Sequence, residues 1–273
     1  MQIEAEPAFV LHSRPYRETS LLVDLFTRHY GRFRAVARGV RGVKKRTTTL
    51  NPYTPMLISW SGKTDLKTLG NIEQSGPPLL LKGDSLYCGF YLNELILRLL
   101  AENDPHDKLF DDYLEVLTKL VHAESIESSL RAFEFSLLEE IGYGLVLNTD
   151  AESGEPVRVG LRYWFEPTVG FILRQNVNLS SKAGNWFQGD ELLAINSGGK
   201  PSRATAAAAK RLIRLALQPH IGDKALLSRA LFAREKPSSM QRESPTQAES
   251  IGCKSKKFDP PNYPPRNIPG MDQ

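Results

Sequence analysis

The sequence predicts an α+β chain in which a small all-β unit precedes a mainly α-helical domain carrying a small β-hairpin. Three observations carry that prediction. Up to Gln74, short apolar runs alternate with polar residues at period two, the strand signature. At Gly76-Pro77-Pro78 two adjacent prolines can continue neither a strand ladder nor a helix. Beyond them the apolar residues recur at helical spacing. The expected divisions are residues 1–78, residues 79–235 and a tail of residues 236–273.

Five strands are expected in the first unit: Ala8–Arg14, Ser20–Thr27, Gly31–Ala37, Pro55–Ser61 and Leu66–Gln74. Turn residues separate them at Arg14-Pro15-Tyr16-Arg17, His29-Tyr30-Gly31 and Ser61 to Asp65. Five strands with one long connection between the third and fourth suit a small closed barrel such as the OB-fold. An SH3-like barrel satisfies the same counts, so pattern alone leaves both open. In the second unit, Asp84–Leu100 has a helical apolar stripe. Asp104 as N-cap followed by Pro105 opens a second helix to Ala123. Ser125 caps a third that reaches Ile141, and Gly142 stands in the favoured terminating position. Leu161–Phe165 and Gly170–Leu173 read as a hairpin. Gly184–Asn196 reads as a short helix around Trp186, Leu192 and Ile195. Ser202 caps Arg203–Gln218, and Lys224–Arg234 is a last helix. The tail after Lys236 is rich in Pro, Ser, Gln and Lys; such a composition buries no core and is expected to be disordered.

The functional signal lies inside the β unit. From Leu25 through Thr64 there is no Asp or Glu, while Arg28, Arg32, Arg34, Arg38, Arg41, Lys44, Lys45, Arg46 and Lys63 all fall there. A surface of one sign draws partners of the other sign, and nucleic-acid phosphates are the commonest such partner. Within Gly31–Ala37, Arg32 and Arg34 share the strand face opposite Phe33. Arg38 to Arg46 then loses the alternation and gains two glycines, a basic loop between strands. A basic edge that only guards against sheet-to-sheet association is the plain alternative, but one or two charges suffice for that. Tyr30, Tyr53 and Trp60 are nearby aromatics; rings of this kind more often pack in a core, and Tyr30 and Trp60 are the candidates to stack a base. The nucleic-acid-binding set expected from the sequence is therefore Arg32, Arg34, Arg38, Arg41, Lys44, Lys45, Arg46 and Tyr30.

Charge is divided along the chain. Residues 1–78 carry 12 Lys/Arg against 6 Asp/Glu, residues 79–160 carry 6 against 16, and residues 161–273 carry 17 against 9. Two basic blocks flank an acidic one, which suggests surfaces with different partners. No apolar run reaches the roughly 18 residues of a membrane span, and the N-terminus lacks the pattern of a signal peptide. The two cysteines, Cys88 and Cys253, suggest neither disulfide nor zinc framework, and the cytoplasm is the default compartment.

Motifs for bond-making chemistry are missing. Gly62-Lys63-Thr64 fails as a phosphate-binding loop, because the glycine required five positions earlier is Leu57 and the segment turns between strands. The five histidines have no metal-ligand spacing. Asp111-Asp112 and Glu139-Glu140 are adjacent on helices and diverge. No cofactor or metal is expected, and a binding protein is favoured over an enzyme with an unrecognised site in the helical domain.

The order of these signals resembles the RecO family of DNA repair proteins over about residues 1–235. The resemblance rests on YRETSLLVDLFTRHYGRFRAVARGVR, on LNPYTPMLISWSGKTDLKTLGNIE, and on Phe133 followed by Ile141-Gly142-Tyr143-Gly144. It implies an OB-fold, no catalytic centre, and a bacterial, cytoplasmic, nucleoid-associated recombination mediator of the RecF pathway. It implies binding of single- and double-stranded DNA, annealing of complementary strands, and cooperation with RecR and the single-stranded-DNA-binding protein in loading a recombinase. Many family members carry a four-cysteine zinc module after the GYG turn; here Leu145–Gly170 has no cysteine, which places the chain with zinc-free relatives held there by hydrogen bonds and Trp164/Phe165 packing. An RNA-binding OB protein remains the competing reading. For the acidic, apolar-ended tail of the single-stranded-DNA-binding protein, the expected contacts are Arg203, Lys210, Arg211 and Arg214 around Ile213, Leu215 and Leu217, with Arg131 from a facing helix; a plain basic helix face or a second DNA surface is the alternative.

Overall fold

The structure is a computed structural model and describes residues 2–41, 50–62, 64, 66–174, 183–199, 201–222 and 225–234. The proline-rich tail lies outside the described residues, as do Lys44, Lys45, Arg46 and Lys63.

Five strands close into a barrel: β1 (Gln2–Tyr16), β2 (Ser20–Thr27), β3 (Gly31–Ala37), β4 (Met56–Ser61) and β5 (Lys67–Gln74), in the order β1-β2-β3-β5-β4. All pairings are antiparallel except β3 with β5. This is OB-like topology and resolves the choice of barrel that periodicity left open. The expected strand Ala8–Arg14 is the middle of a longer one, because β1 pairs with β4 through its first half and with β2 through its second. Val10, Val23, Leu25, Phe33, Ala35, Met56, Ile58 and Trp60 fill the interior. Phe33, Ala35 and Ala37 point inward as their alternation requires.

Three helices follow: α1 (Asp84–Leu99), α2 (Asp107–Val121) and α3 (Ile126–Glu140). Helix α2 starts at Asp107 with His106 before it and no side-chain cap, so Asp104 is not the expected N-cap. Asp104 sits instead against Gly31, where a Cβ would overlap its carbonyl. Ser125 precedes α3 in the left-handed region without a side-chain cap bond. Gly142, at φ +84, ends the helix as expected, with Tyr143 N–H donating to Leu138 O at 2.7 Å.

Strands β6 (Arg162–Glu166) and β7 (Gly170–Leu173) form the expected hairpin, joined by β8 (Trp186–Gln188) on the other side of β6. Trp186 was expected in a helix. It pairs as a strand with Trp164, because Phe187 must turn inward while its neighbours do not, and the helix α4 (Gly189–Asn196) begins only afterwards. Ser202 caps α5 (Arg203–Ile221), accepting from Thr205 N–H at 3.1 Å. Helix α6 (Leu227–Arg234) ends the described chain.

Barrel and helices share one core. Phe9, Leu11 and Phe26 leave the outer face of the barrel and join the helical core. Phe9 meets Phe110 and Tyr113 at ring separations of 5.4 and 5.2 Å, and Phe26 meets Phe110 at 5.5 Å. Buried Asn93 of α1 donates to Leu11 O at 2.8 Å and accepts from Tyr113. A buried polar group needs such partners, so this bond fixes α1 against β1.

Candidate nucleic-acid interface

Cross-strand partners share a face of the sheet, so register alone maps the outer surface of β1, β2 and β3. Phe9, Phe26 and Arg32 form one row across the three strands. His12, Asp24 and Arg34 form the next, then Arg14, Leu22 and Val36, and finally Tyr16 with Ser20. The first row is under the helices. The last lies at the far end of the strands.

Charge along this face is settled by the seam. Arg32 donates to Leu100 O at 3.2 and 3.3 Å and pairs with Glu102 at 3.3 Å, leaving its side chain 13% exposed. Arg34 pairs with the same Glu102 carboxylate at 3.0 Å. Arg28 meets Asp111 at 2.5 Å. His12 lies 3.6 Å from Asp24. Arg32 and Arg34 do share one face, but that face meets the helical half at the seam: the Arg32 side chain is largely covered there, while the Arg34 side chain stays 47% exposed. The acidic helical block supplies Glu102 and Asp111, and a guanidinium placed at the seam takes the carboxylate it meets rather than remaining solvated.

Of the two candidate rings, Trp60 belongs to the barrel core and Tyr30 lies at its margin. Trp60 is 4% exposed within the barrel core. Tyr30 is half-buried and packs edge-on against Trp60 at 5.1 Å. Tyr30 also precedes β3 while Arg38 follows it, so the two stand at opposite ends of a strand roughly 20 Å long. Tyr53 is buried, with its hydroxyl unpartnered and its pKa raised by that burial.

Arg38 and Arg41 are exposed at the open end of the barrel. Arg41 is tied to the β1–β2 turn: its N–H donates to Thr19 O at 3.0 Å, and its guanidinium reaches Arg17 O at 3.5 Å. In the sequence Arg14-Pro15-Tyr16-Arg17 carries only a turn signal. The fold sets those residues beside the basic loop, and the presence of two cations and an aromatic in one turn is the signal that marks them.

The expected partner-binding residues scatter. Ile213 and Leu217 are fully buried in the helical core, so they line no surface pocket. An amphipathic helix spends its apolar stripe on the core it packs against. Arg211 is held by Trp186 O at 3.1 Å and Glu191 at 3.2 Å, over the Phe187 ring at 4.3 Å. Lys210 pairs with Glu127 at 3.3 Å. Arg203 and Arg214 are exposed. Arg131 pairs at 2.8 Å with fully buried Glu134, which also accepts from Tyr91 at 2.5 Å. Burial pushes the Glu134 carboxyl up to about 7, against the opposing pull of Arg131 and the Tyr91 bond.

Residues 145–170 contain neither cysteine nor histidine, so they do not supply the donors of a four-cysteine zinc module. Asp150 is the peg instead. Its carboxylate accepts from the backbone of Glu152, Ser153 and Leu173 at 3.0, 2.7 and 2.5 Å, and from Ser153 Oγ at 2.8 Å. Although partial burial pushes the other way, these bonds hold Asp150 below the usual carboxylate range. Phe165 is buried in the core, and Trp164 packs edge-on against Trp186 at 5.3 Å.

A closed OB-like barrel, fused through a shared core to a helical domain and keeping a basic end exposed, defines a class of nucleic-acid-handling scaffold. Comparisons name the family. The family described as Recombination protein O N terminal matches residues 1–77, and that described as Recombination protein O C terminal matches residues 80–230. The DNA repair protein RecO of Coxiella burnetii (strain RSA 331 / Henzerling II) is 43% identical over 232 residues, covering 85% of this chain and 98% of that protein. The DNA repair protein RecO of Nitrosococcus oceani is 43% identical over 233 residues, covering 85% and 94%. That of Haemophilus influenzae (strain PittGG) is 43% identical over 236 residues, covering 85% and 97%. This chain belongs to the RecO family, whose work is DNA repair and recombination. No helix among the described residues is long and apolar enough to cross a membrane.

Proposed function

We propose that this chain is a recombination mediator that binds single- and double-stranded DNA at the open end of its barrel and anneals complementary strands. It does so without bond-making chemistry of its own. The observation that carries this reading is the division of the acid-free stretch: Arg28 pairs with Asp111 of α2, Arg32 and Arg34 pair with Glu102 of the α1–α2 loop, while Arg38 and Arg41 stay exposed, with Arg41 anchored to the β1–β2 turn. Cations that neutralise phosphates on two strands lower their repulsion, and pairing is then left to the bases. In the cell the mediator works with RecR and with the single-stranded-DNA-binding protein to place a recombinase on coated DNA. Arg203 and Arg214, exposed on α5, suit the acidic tail of that binding protein.

The deciding experiment is annealing of complementary oligonucleotides coated with single-stranded-DNA-binding protein, without nucleotide or metal. Annealing should proceed, and should slow when Arg38 and Arg41 are both replaced by Ala. Failure to anneal rejects the mediator reading. Tighter binding of RNA than of DNA at matched salt points instead to an RNA-binding protein of translation or processing. An acidic tail peptide that binds Arg203→Glu and Arg214→Glu variants as it binds the parent removes α5 from the partner surface.

A further inference from the structure

We infer that Tyr16, on the β1–β2 hairpin, is the base-stacking platform of this chain, so that the open end of the barrel takes an unpaired DNA strand by ring contact as well as by charge. This rests on the reading that the basic end binds DNA. A single strand held without sequence readout needs a cationic track and an aromatic ring beside it. The rings that proximity in sequence suggests are spent: Trp60 and Tyr53 are in cores, and Tyr30 packs on Trp60 at the other end of β3. Tyr16 is half-buried in the last row of the outer face, on the same strand face as exposed Arg14.

The charges at that end complete the argument. Arg17 occupies the turn at φ +52 and holds its guanidinium 5.3 Å from the centre of the Tyr16 ring. Arg41 bonds to the backbone of Arg17 and Thr19, which brings Arg38 and Arg41 to the same corner. Glu18 is the one acid in that turn, against Arg14, Arg17, Arg38 and Arg41. Nearer the seam the positive charge is offset, since Asp24 lies opposite Arg34 in the sheet and Glu102 pairs with Arg32 and Arg34. A strand following the charge is therefore led toward the hairpin tip, where the ring lies. A duplex offers no unpaired base to it, so the ring distinguishes single from double strands.

The test compares a labelled oligo-dT strand, an abasic strand of equal length and a duplex by fluorescence anisotropy. Tyr16→Ala should weaken oligo-dT binding about tenfold and leave the abasic strand and the duplex unchanged. Tyr16→Phe should bind all three like the parent, and Tyr16→Leu like the Ala variant. If the Ala variant melts at lower temperature, the Phe and Leu pair decides, because both fill space and only Phe stacks. Equal binding of oligo-dT by all variants, or equal losses on oligo-dT and abasic strands, overturns the platform. Replacing Arg38 and Arg41 by Ala separates the underlying reading: it should weaken every ligand, and undiminished binding overturns the basic-end site itself, whatever Tyr16 does.

Discussion

Glu102 accepts from Arg32 at 3.3 Å across the seam between barrel and helices, joining residues that lie 70 positions apart. The same carboxylate holds Arg34. One acid thus converts part of a basic strand from an open charged face into a fastening. Two mutant series should separate the two kinds of arginine.

Arg32→Ala removes an inter-element ion pair and two bonds to Leu100 O. It should cost roughly 1–3 kcal/mol of stability. The salt dependence of strand binding should hardly change. Arg38→Ala and Arg41→Ala should leave stability almost untouched and reduce the slope of log affinity against log salt by roughly 0.7 per lost contact on a single strand. Urea titrations together with binding at several salt concentrations check both halves.

Gly31 is the closest backbone approach at the seam. It stands at φ +66, and a Cβ would strike the Asp104 backbone, which cannot swing aside as a flexible side chain does. Gly31→Ala should destabilise by about 2–4 kcal/mol, from left-handed strain and overpacking together. Gly39, also left-handed but with no atom near its missing Cβ, is the control and should lose about 1 kcal/mol. Urea midpoints compare the two.

Glu134 predicts a pH dependence of known sign. Its carboxyl is raised to about 7 by burial, facing Arg131, Tyr91, Cys88, Lys210 and Arg229. A carboxyl whose folded pKa exceeds the unfolded one binds its proton more tightly in the folded state. Its contribution is complete below the unfolded pKa, near 4.3, and is lost as pH rises through the folded pKa. Stability should fall between about pH 4.5 and 7, by on the order of 3 kcal/mol from this group. Glu134→Gln should flatten that slope in urea melts taken across the range.

Asp150 is expected to hold the segment after the GYG turn by hydrogen bonding. Asp150→Ala removes four accepted bonds from the segment after the GYG turn. The loss should be roughly 1–3 kcal/mol. A chelator should leave the melting temperature of the parent protein unchanged; a fall on chelation would show that a metal holds the segment after all.

Much of the fold is legible in the sequence. Strands β2 and β3, the hairpin of β6 and β7, the Ser202 cap and the Gly142 terminator all follow from neighbours two to four residues apart. Other elements were misread for equally local reasons. Asp104-Pro105 carries a helix-start pattern, yet Asp104 is engaged by Gly31 of the barrel. Trp186 falls in a helical spacing, yet the free edge of β6 claims it.

By itself the sequence determined an α+β chain, a break at the paired prolines, and a basic stretch pointing to nucleic acid. Only the tertiary structure decided which of those cations remain available, and which aromatics are core rather than surface. The physical reason is range. Periodicity and capping act within a turn or a strand, whereas the Glu102–Arg32, Asp111–Arg28 and Phe9–Tyr113 contacts exist only once two distant segments have packed.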